Sequence, residues 1–343
     1  MSDALKPKRF VFLILENATL LSFSCAIEPL RIANRVAGKV LYTWVVAAEN
    51  GEAVTFSNGL RVTPDIGLEE LERDDVLLVC GGTGVQAAST RAVLNWLRRE
   101  ARRGIALGGI CTGSHAVARA GLLDGRRCTI HWENRDAFME AFPEVELSAN
   151  IYVIDGNRCS SAGGSASADM LLKMIAEAHG ADLAAQVADQ MIYTTMRTDR
   201  DEQRLSIPTR IGVRHPKLAS VIKLMEERIE EPESPADLAM AVGMSTRQLE
   251  RLFRRYLDRS PKRYYMELRL QKARHLLLQT DMSVINVALA CGFTSPSHFS
   301  KCYRACFSTT PYRERGTAQT GGRTETGPRA AESPDDARLS GKI

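Results

Sequence analysis

The chain has 343 residues, of which 44% are hydrophobic and 25% charged, so it is long enough to bury two ordinary cores. No apolar run approaches the roughly 20 residues that a membrane span needs, and the start of the chain does not resemble a cleaved signal peptide. Eight cysteines without a CxxC spacing argue against a zinc module and against a secreted disulfide framework. We therefore expect a cytoplasmic protein without a membrane partner.

From the N-terminus to about residue 180, strand-like runs alternate with helix-like runs. The strand-like runs are RFVFLILEN, YTWVVAAEN, RVTPDIGL, DDVLLVCGG and IALGGICTG. Helix-like runs such as AIEPLRIANRV and TRAVLNWLRREARRG separate them, and two more follow Gly163. Continuous apolar runs bounded by glycine are typical of buried parallel strands. The pattern predicts an open α/β sandwich in this part of the chain.

One motif in this region points to chemistry. Residues 109–113 read Gly-Ile-Cys-Thr-Gly, between a strand-like run and a helix-like run. A nucleophile elbow needs small neighbours because its central residue sits in a strained turn, and the start of the next helix favours a thiolate there. His131 lies 20 residues after Cys111, and it could reach the thiol if the next strand lies alongside.

Four runs carry a family resemblance: FSCAIEPLRIANR, VCGGTG, GGICTGSHAVARAGLLDGRRCTIHW and SSAGGSASADMLL. They are similar to the ThiJ/PfpI group of the class I glutamine amidotransferase-like superfamily, over about residues 8 to 190. The resemblance implies a parallel-sheet amidotransferase-like sandwich that senses a small molecule. We therefore expect a sensor domain over residues 8–197.

Enzymes of that group polarise the cysteine with an acid from the loop after the first strand. Here Glu16 is the only carboxylate of that loop, and its place close to the strand departs from the family pattern. We expect Cys111, Thr112, His131, Trp132 and Glu16 to line a ligand pocket, in which Trp132 could hold a cationic head group by cation–π attraction. Three alternatives stay open: a thiol-dependent hydrolase or hydratase, a redox-sensing thiol, and a relic of the fold without a separate role.

Two polar segments flank the C-terminal part. Residues 198–214 carry Pro208 and Gly212 and are the expected interdomain linker. Residues 317–343 lack aromatic side chains and are rich in small and charged residues, which predicts a disordered tail.

Between these segments the chain repeats itself. The run LAMAVGMSTRQLERLFRRYLDRSP is echoed by VALACGFTSPSHFSKCYRACFSTTP, and the glycines Gly243 and Gly292 are 49 residues apart. A glycine at this place suits a tight turn with positive φ, and Ser245 and Ser295 suit helix N-caps. Apolar residues at helical spacing follow each serine. Each copy is therefore predicted to be one helix-turn-helix unit, and such a unit lays its second helix in the major groove.

These repeats, the connecting run RYYMELRLQKARHLLLQTDMSV and the closing Ser/Thr-Pro resemble the DNA-binding domain of AraC/XylS-family regulators, over residues 215–316. The whole chain thus resembles regulators in which a ThiJ/PfpI-like domain precedes an AraC-type module. The resemblance implies a dimeric activator of catabolic genes that meets RNA polymerase and responds to a small-molecule effector. The expected effector is an amino acid such as arginine or a quaternary amine such as glycine betaine or carnitine.

The charge distribution supports double-stranded DNA as a partner. Residues 245–315 contain 14 Lys or Arg against five Asp or Glu, a balance of +9, whereas the whole chain is only +4 and the remainder is therefore −5. The helix from Lys262 to about Gln279 is expected to hold the two units one DNA turn apart. The expected DNA contacts are Ser245, Thr246, Arg247, Gln248, Arg251, Arg254, Arg255, Arg259 and Lys262 in the first unit, and Ser295, Ser297, His298, Lys301 and Arg304 in the second.

No cofactor and no metal are expected. His298, Cys302 and Cys306 fall at i, i+4 and i+8 on one predicted helix, a spacing that a metal or redox face could use. Such spacing is common on helices, and cysteine usually packs as a small hydrophobe. We therefore expect the two cysteines to pack and His298 to lie near DNA.

Overall fold

The structure is a computed structural model that describes residues 6–203, 207–213, 215–280 and 282–320. Within those ranges no helix is both long enough and apolar enough to cross a bilayer. The last helix continues to Thr320, four residues into the segment predicted as a disordered tail, and residues 321–343 lie outside the described part.

The N-terminal part is built on one central sheet. Its strands and the short accessory strands are β1 (Lys8–Ile14), β2 (Tyr42–Ala47), β3 (Val54–Thr55), β4 (Arg61–Val62), β5 (Val76–Cys80), β6 (Ala106–Ile110), β7 (Arg127–Cys128), β8 (Glu146–Leu147), β9 (Tyr152–Asp155) and β10 (Arg158–Ser161). The central sheet has the order β2-β1-β5-β6-β10-β9, and only β9 runs antiparallel, at one edge. The predicted strand RVTPDIGL is corrected: it forms only the two-residue β4, which pairs with β3, and a single parallel bridge between Ile66 and Ala47 of β2.

Helices cover both faces of this sheet. They are α1 (Leu20–Ala37), α2 (Val85–Ala88), α3 (Arg91–Arg102), α4 (Gly113–Arg119), α5 (Arg135–Ala141), α6 (Ala166–His179) and α7 (Ala181–Gln190). Side chains alternate along β1, so Phe12 packs with α1, α6 and α7 while Leu13 packs with α3 and α4. The result confirms the predicted α/β sandwich, because buried strands with two apolar faces need a helix layer on each side.

The C-terminal part is all helical. Its helices are α8 (Ile207–Ile211), α9 (Pro216–Glu227), α10 (Pro235–Ala241), α11 (Thr246–Leu257), α12 (Pro261–Gln279), α13 (Val284–Ala290), α14 (Pro296–Phe307) and α15 (Pro311–Thr320). Two small cores form, one around Phe253 of α11 and one around Tyr303 of α14, and α12 contributes to both. The long connecting helix predicted between the repeats is therefore α12, and it joins two separately packed units.

Both repeats fold as helix, turn, helix. Gly243 follows α10 with φ of 64° and Gly292 follows α13 with φ of 72°, a backbone region that side chains with a Cβ rarely adopt. The predicted N-caps are confirmed: Ser245 accepts a hydrogen bond from the Gln248 N–H, and Ser295 accepts one from the His298 N–H.

The segment predicted as a linker is attached at both of its ends. The backbone N–H of Ile151 donates to the carbonyl of Asp201, and the Gln203 side chain donates to Thr129 and to the carbonyls of Ile130 and Asn150. Further along, α8 lies inside the predicted linker and packs on α9.

Candidate DNA interface and effector site

The predicted elbow forms at the carboxyl end of β6. Cys111 has φ of 59°, a strained conformation for a residue with a side chain, and its N–H donates to the Ser161 carbonyl at 3.0 Å. A Cβ on Gly113 would stand 1.9 Å from the Val79 carbonyl oxygen, so this position admits only glycine. The Gly-x-Cys-x-Gly spacing thus follows from the close approach of three strand ends.

The thiol of Cys111 is surrounded by hydroxyl groups. Thr19 Oγ1 lies 3.9 Å from Sγ, and Ser22, one turn further along α1, holds the N–H of Gly164 at 2.7 Å. Burial raises the pKa of Cys111, and the negative charge of Glu133 raises it further, against the opposing hydrogen bonds of Thr19 and Ser22. The start of the helix after Cys111 favours a thiolate, whereas burial of the sulfur favours the neutral thiol.

Two of the predicted pocket residues point elsewhere. The Thr112 hydroxyl donates to the Gly82 carbonyl at 2.7 Å, which ties the elbow to the end of β5. Glu16 is exposed, and its carboxylate accepts from the N–H of Thr55 at 3.4 Å. The position beside the sulfur belongs to the Thr19 hydroxyl, so Glu16 does not polarise the cysteine.

His131 and Trp132 lie in a short 3₁₀ turn that follows β7. His131 Nδ1 is 3.9 Å from the Glu133 carboxylate, and burial lowers the pKa of this histidine. The ring centroids of His131 and Trp132 are 5.6 Å apart. Among the described residues no hydrogen bond joins His131 to Cys111. The predicted approach of His131 to the thiol is therefore not seen as a hydrogen-bonded Cys–His pair.

Sequence reasoning missed Thr19, Ser22 and Glu133. The first two follow β1, whose carboxyl end stands beside that of β5 at the point where the strand order reverses. Open α/β sheets bind ligands in the crevice at such a point. Thr19 and Ser22 in the run NATLLSFS were therefore a usable signal for the site, because they follow the first predicted strand. The orientation of Glu133 depends on a loop that no sequence pattern specifies.

The first recognition helix, α11, begins with a capping box. The Ser245 hydroxyl accepts from the Gln248 N–H, and the Gln248 side chain accepts from the Ser245 N–H at 2.9 Å. Two predicted DNA contacts thus help to start the helix, and Gln248 would have to leave the box to reach a base.

Exposed cations follow along α11. Arg247, Arg251 and Arg254 are exposed at i, i+4 and i+7, which places them on one side of the helix, and Thr246 is exposed at its start. Arg255 is exposed too, with its guanidinium 5.3 Å from the ring of Tyr256. The remaining two predicted cations differ: Lys262 is exposed at the start of α12, while Arg259 already forms an ion pair with Glu267.

The second recognition helix, α14, has fewer charges. Ser297, His298, Lys301 and Arg304 are exposed. His298 Nε2 lies 3.3 Å from Cys302 Sγ. Cys302 packs against the second core as predicted, but Cys306 is exposed, which corrects its expected packing, because its side of α14 faces away from that core. Within the described ranges no group of three or more His, Cys, Asp or Glu residues could hold a metal ion.

Cations from other helices fix the two turns. Lys217 of α9 donates to the Gly243 carbonyl at 2.9 Å. In the second unit Arg269 of α12 donates to the Gly292 carbonyl at 2.6 Å and lies 4.2 Å over the Phe293 ring. Each unit is therefore a rigid platform that presents the exposed start of its recognition helix.

Comparisons with known proteins agree with this architecture. A model of the DJ-1/PfpI family matches residues 8–177, and a helix-turn-helix domain model matches residues 238–316. The chain is 47% identical to the HTH-type transcriptional regulator GbdR of Pseudomonas aeruginosa over 309 residues, which cover 90% of this chain and 84% of that protein. It is 48% identical to the regulator CdhR of the same species over 306 residues, 89% of this chain and 91% of that protein.

The chain belongs to the AraC/XylS-type regulators with an N-terminal DJ-1/PfpI domain. Membership of this family makes it a DNA-binding transcription regulator, which is the function that the repeated motif predicted. A more distant similarity concerns the elbow domain alone. An isonitrile hydratase of Pseudomonas putida is 33% identical over 141 residues, which cover 41% of this chain and 61% of that protein.

Proposed function

We propose that this regulator reads one asymmetric DNA site with α11 and α14 in successive major grooves. The observation that carries the proposal is the pair of capped recognition helices, each with an exposed polar first turn and cations further along. The connecting helix α12 has 19 residues, a length of about 28 Å at 1.5 Å per residue. This length suits two units that enter grooves about 34 Å apart on one face of the duplex.

The exposed residues divide by role. Thr246, Arg247 and Arg251 on the first helix would face base edges, because arginine can bond guanine with two parallel hydrogen bonds. Ser297, His298, Lys301 and Arg304 would take the corresponding places on the second helix. Arg254, Arg255 and Lys262 would neutralise phosphates, and Arg259 would join them only by leaving Glu267. Ser245 and Ser295 would act through their helix caps.

We further propose that the N-terminal domain binds a small cationic effector beside the elbow. Three neighbouring groups support this: the Glu133 carboxylate whose charge acts on Cys111, the Trp132 indole in the same turn, and the hydroxyl groups on α1. A carboxylate and an aromatic face suit an ammonium group. An amino acid such as arginine, or a quaternary amine such as glycine betaine or carnitine, meets that description.

Other parts of the proposal follow from the family. The protein would act in the cytoplasm as a homodimeric activator that contacts RNA polymerase, with the effector-binding and DNA-binding domains divided by the linker at 198–214. The Cys111 thiol would not turn over a substrate, because burial raises its pKa and the Glu16 carboxylate accepts a hydrogen bond from the N–H of Thr55.

Fluorescence anisotropy tests the proposal. The full chain is titrated with labelled DNA from upstream of its own gene and with a scrambled duplex, with and without arginine, glycine betaine and carnitine. We expect a preference for the upstream DNA that one of the amines changes, and Trp132→Ala should abolish the response to the amine while the preference for the upstream duplex over the scrambled duplex remains. Equal affinity for both duplexes under every condition would contradict the proposal.

The elbow favours one second candidate, a thiol-dependent hydration. The left-handed Cys111 and the similarity to an isonitrile hydratase support it. Incubation of the protein with a simple isonitrile tests it, because time-dependent loss of the isonitrile that Cys111→Ser abolishes would establish turnover. A parallel titration with peroxide separates a redox sensor: loss of DNA binding in the native chain but not in Cys111→Ser would indicate thiol oxidation.

A further inference from the structure

The two parts of the chain meet at a small polar contact. Lys272 Nζ of α12 lies 3.3 Å from a carboxylate oxygen of Asp136 in α5. The rings of His275 and Trp132 are 6.2 Å apart at 69°, an edge-to-face arrangement. Lys272 and His275 are three residues apart and therefore lie on one side of α12.

A third contact extends the same side of α12. The side-chain nitrogen of Gln86 in α2 donates to the carbonyl oxygen of Gln279, the last residue of α12. The Lys272 and His275 side chains lie on one side of α12, and Gln279 adds a backbone carbonyl at its end, so the C-terminal half of the connecting helix rests on the sensor domain. The helix that joins the two DNA-binding units is thus also the element that docks on the sensor domain.

The docked turn also borders the candidate effector site. Trp132 faces His275, while the next residue, Glu133, acts electrostatically on Cys111. The strand that leads into this turn holds the linker, because Gln203 donates to Thr129 and to the Ile130 carbonyl. One short segment therefore contacts the linker and the connecting helix, and its Glu133 carboxylate acts on Cys111 through its charge.

The negative charge of the sensor domain opposes DNA binding when the sensor domain is docked on the basic DNA-binding domain. Residues 8–197 contain 22 Asp or Glu against 19 Lys or Arg, a balance of −3, whereas residues 245–315 carry +9. A docked acidic domain lowers the positive potential that attracts phosphates. The Asp136 carboxylate also neutralises one cation of the basic domain directly.

We propose that this contact, formed by Asp136, Trp132 and Gln86 against α12, is autoinhibitory: the docked state restrains the DNA-binding domain, and release of α12 strengthens DNA binding. The inference rests on the proposed function and adds its regulation. A ligand that binds the released state more tightly than the docked state shifts the equilibrium toward release, by at most the difference between its two binding free energies. DNA is one such ligand, and an effector that displaces the Trp132 turn is another.

The contact is small, so the restraint should be modest. A partly exposed ion pair and one ring contact each contribute weakly. We therefore expect that breaking the contact raises DNA affinity about threefold to tenfold, near the lower end of the usual range of allosteric coupling.

Charge reversal tests the proposal in the full chain. Asp136→Lys and Lys272→Glu each break the pair, and the double variant Asp136→Lys/Lys272→Glu restores it with the native net charge. Glu28→Lys in α1 and Lys223→Glu in α9 are controls that make the same charge changes away from the contact, and each also breaks one surface ion pair, with Arg31 or with Glu227. The probes are the upstream duplex and the scrambled duplex, measured by anisotropy at fixed salt.

We expect each single variant to bind both duplexes more tightly than its charge-matched control and the double variant to return to the native affinity. Hydrogen exchange over residues 131–136 should quicken in Asp136→Lys and recover in the double variant. An amine that strengthens DNA binding by the native chain should lose that effect in Asp136→Lys, because the restraint is already absent.

Single variants that bind like their controls, or a double variant that shows only the sum of the single effects, would overturn the autoinhibitory contact. A native chain without preference for the upstream duplex would instead overturn sequence-specific recognition. The comparison on the scrambled duplex still decides the restraint in that case, because non-specific binding uses the same basic surface.

Discussion

The first recognition helix, α11, starts with a two-sided capping box and carries four arginines, whereas α14 starts with Ser295-Pro296 and carries only Lys301 and Arg304. Both helices bury an aromatic side chain at the equivalent place, Phe253 and Tyr303, and α14 also buries Phe299 where α11 buries Leu249. The packing plan is thus repeated while the exposed surface is not. We therefore expect α11 to supply more of the electrostatic attraction to DNA than α14.

The largest expected effect is on stability, and it distinguishes the core around Phe253 from the core around Tyr303. Phe253→Ala removes a fully buried ring and should lower the free energy of unfolding of the DNA-binding domain by about 3–5 kcal/mol. Tyr303→Phe should cost almost nothing, because the Tyr303 hydroxyl is buried without a hydrogen-bond partner among the described residues. Urea unfolding followed by circular dichroism measures both. A large loss for Tyr303→Phe would show that its hydroxyl has a partner.

The second prediction concerns DNA contacts. Arg247→Ala should lower the affinity for the preferred site by about 1–3 kcal/mol and relax its sequence preference, whereas Lys301→Ala should have a smaller effect. Arg255→Ala should weaken binding to all sequences alike and reduce the salt dependence, as expected for a phosphate contact. Anisotropy at several salt concentrations distinguishes these results. Equal losses across all sequences for Arg247→Ala would refute its role at base edges.

The third prediction concerns the helix starts. Ser245→Ala should destabilise the domain by about 1 kcal/mol, because it removes the hydroxyl side of the capping box. Ser295→Ala should cost less, since Pro296 at the first helical position already favours the helical backbone. Thermal unfolding of the two variants gives the order. The reverse order would mean that the capping box adds little to the start of α11.

The smallest expected effect is at the end of the chain. Residues 321–343 contain four basic and four acidic residues, so removing them leaves the charge of both units unchanged. Truncation after Thr320 should therefore leave the DNA affinity of the native chain intact. A loss of affinity larger than the loss from Lys301→Ala would assign a DNA contact to this segment.

Local patterns predicted most of the fold. The glycine turns, serine caps and apolar spacing of both repeats depend on neighbouring residues, and the structure contains them where the sequence indicates. The elbow was predictable for the same reason, because close approach at Gly113 demands glycine. The surroundings of Cys111 were not, since the Thr19 hydroxyl reaches it from a segment distant in sequence. Burial of Cys111 opposes the thiolate that the start of the following helix favours.

The most direct test of the account is a hydroxyl-radical footprint of the full chain on its upstream DNA. If α11 and α14 enter successive major grooves, each protomer should protect two patches about 10 base pairs apart on one face of the duplex. Arg247→Ala should weaken the patch of the first unit more than that of the second. A single protected patch per protomer, or uniform protection without phase, would contradict the account of two recognition helices that read one site.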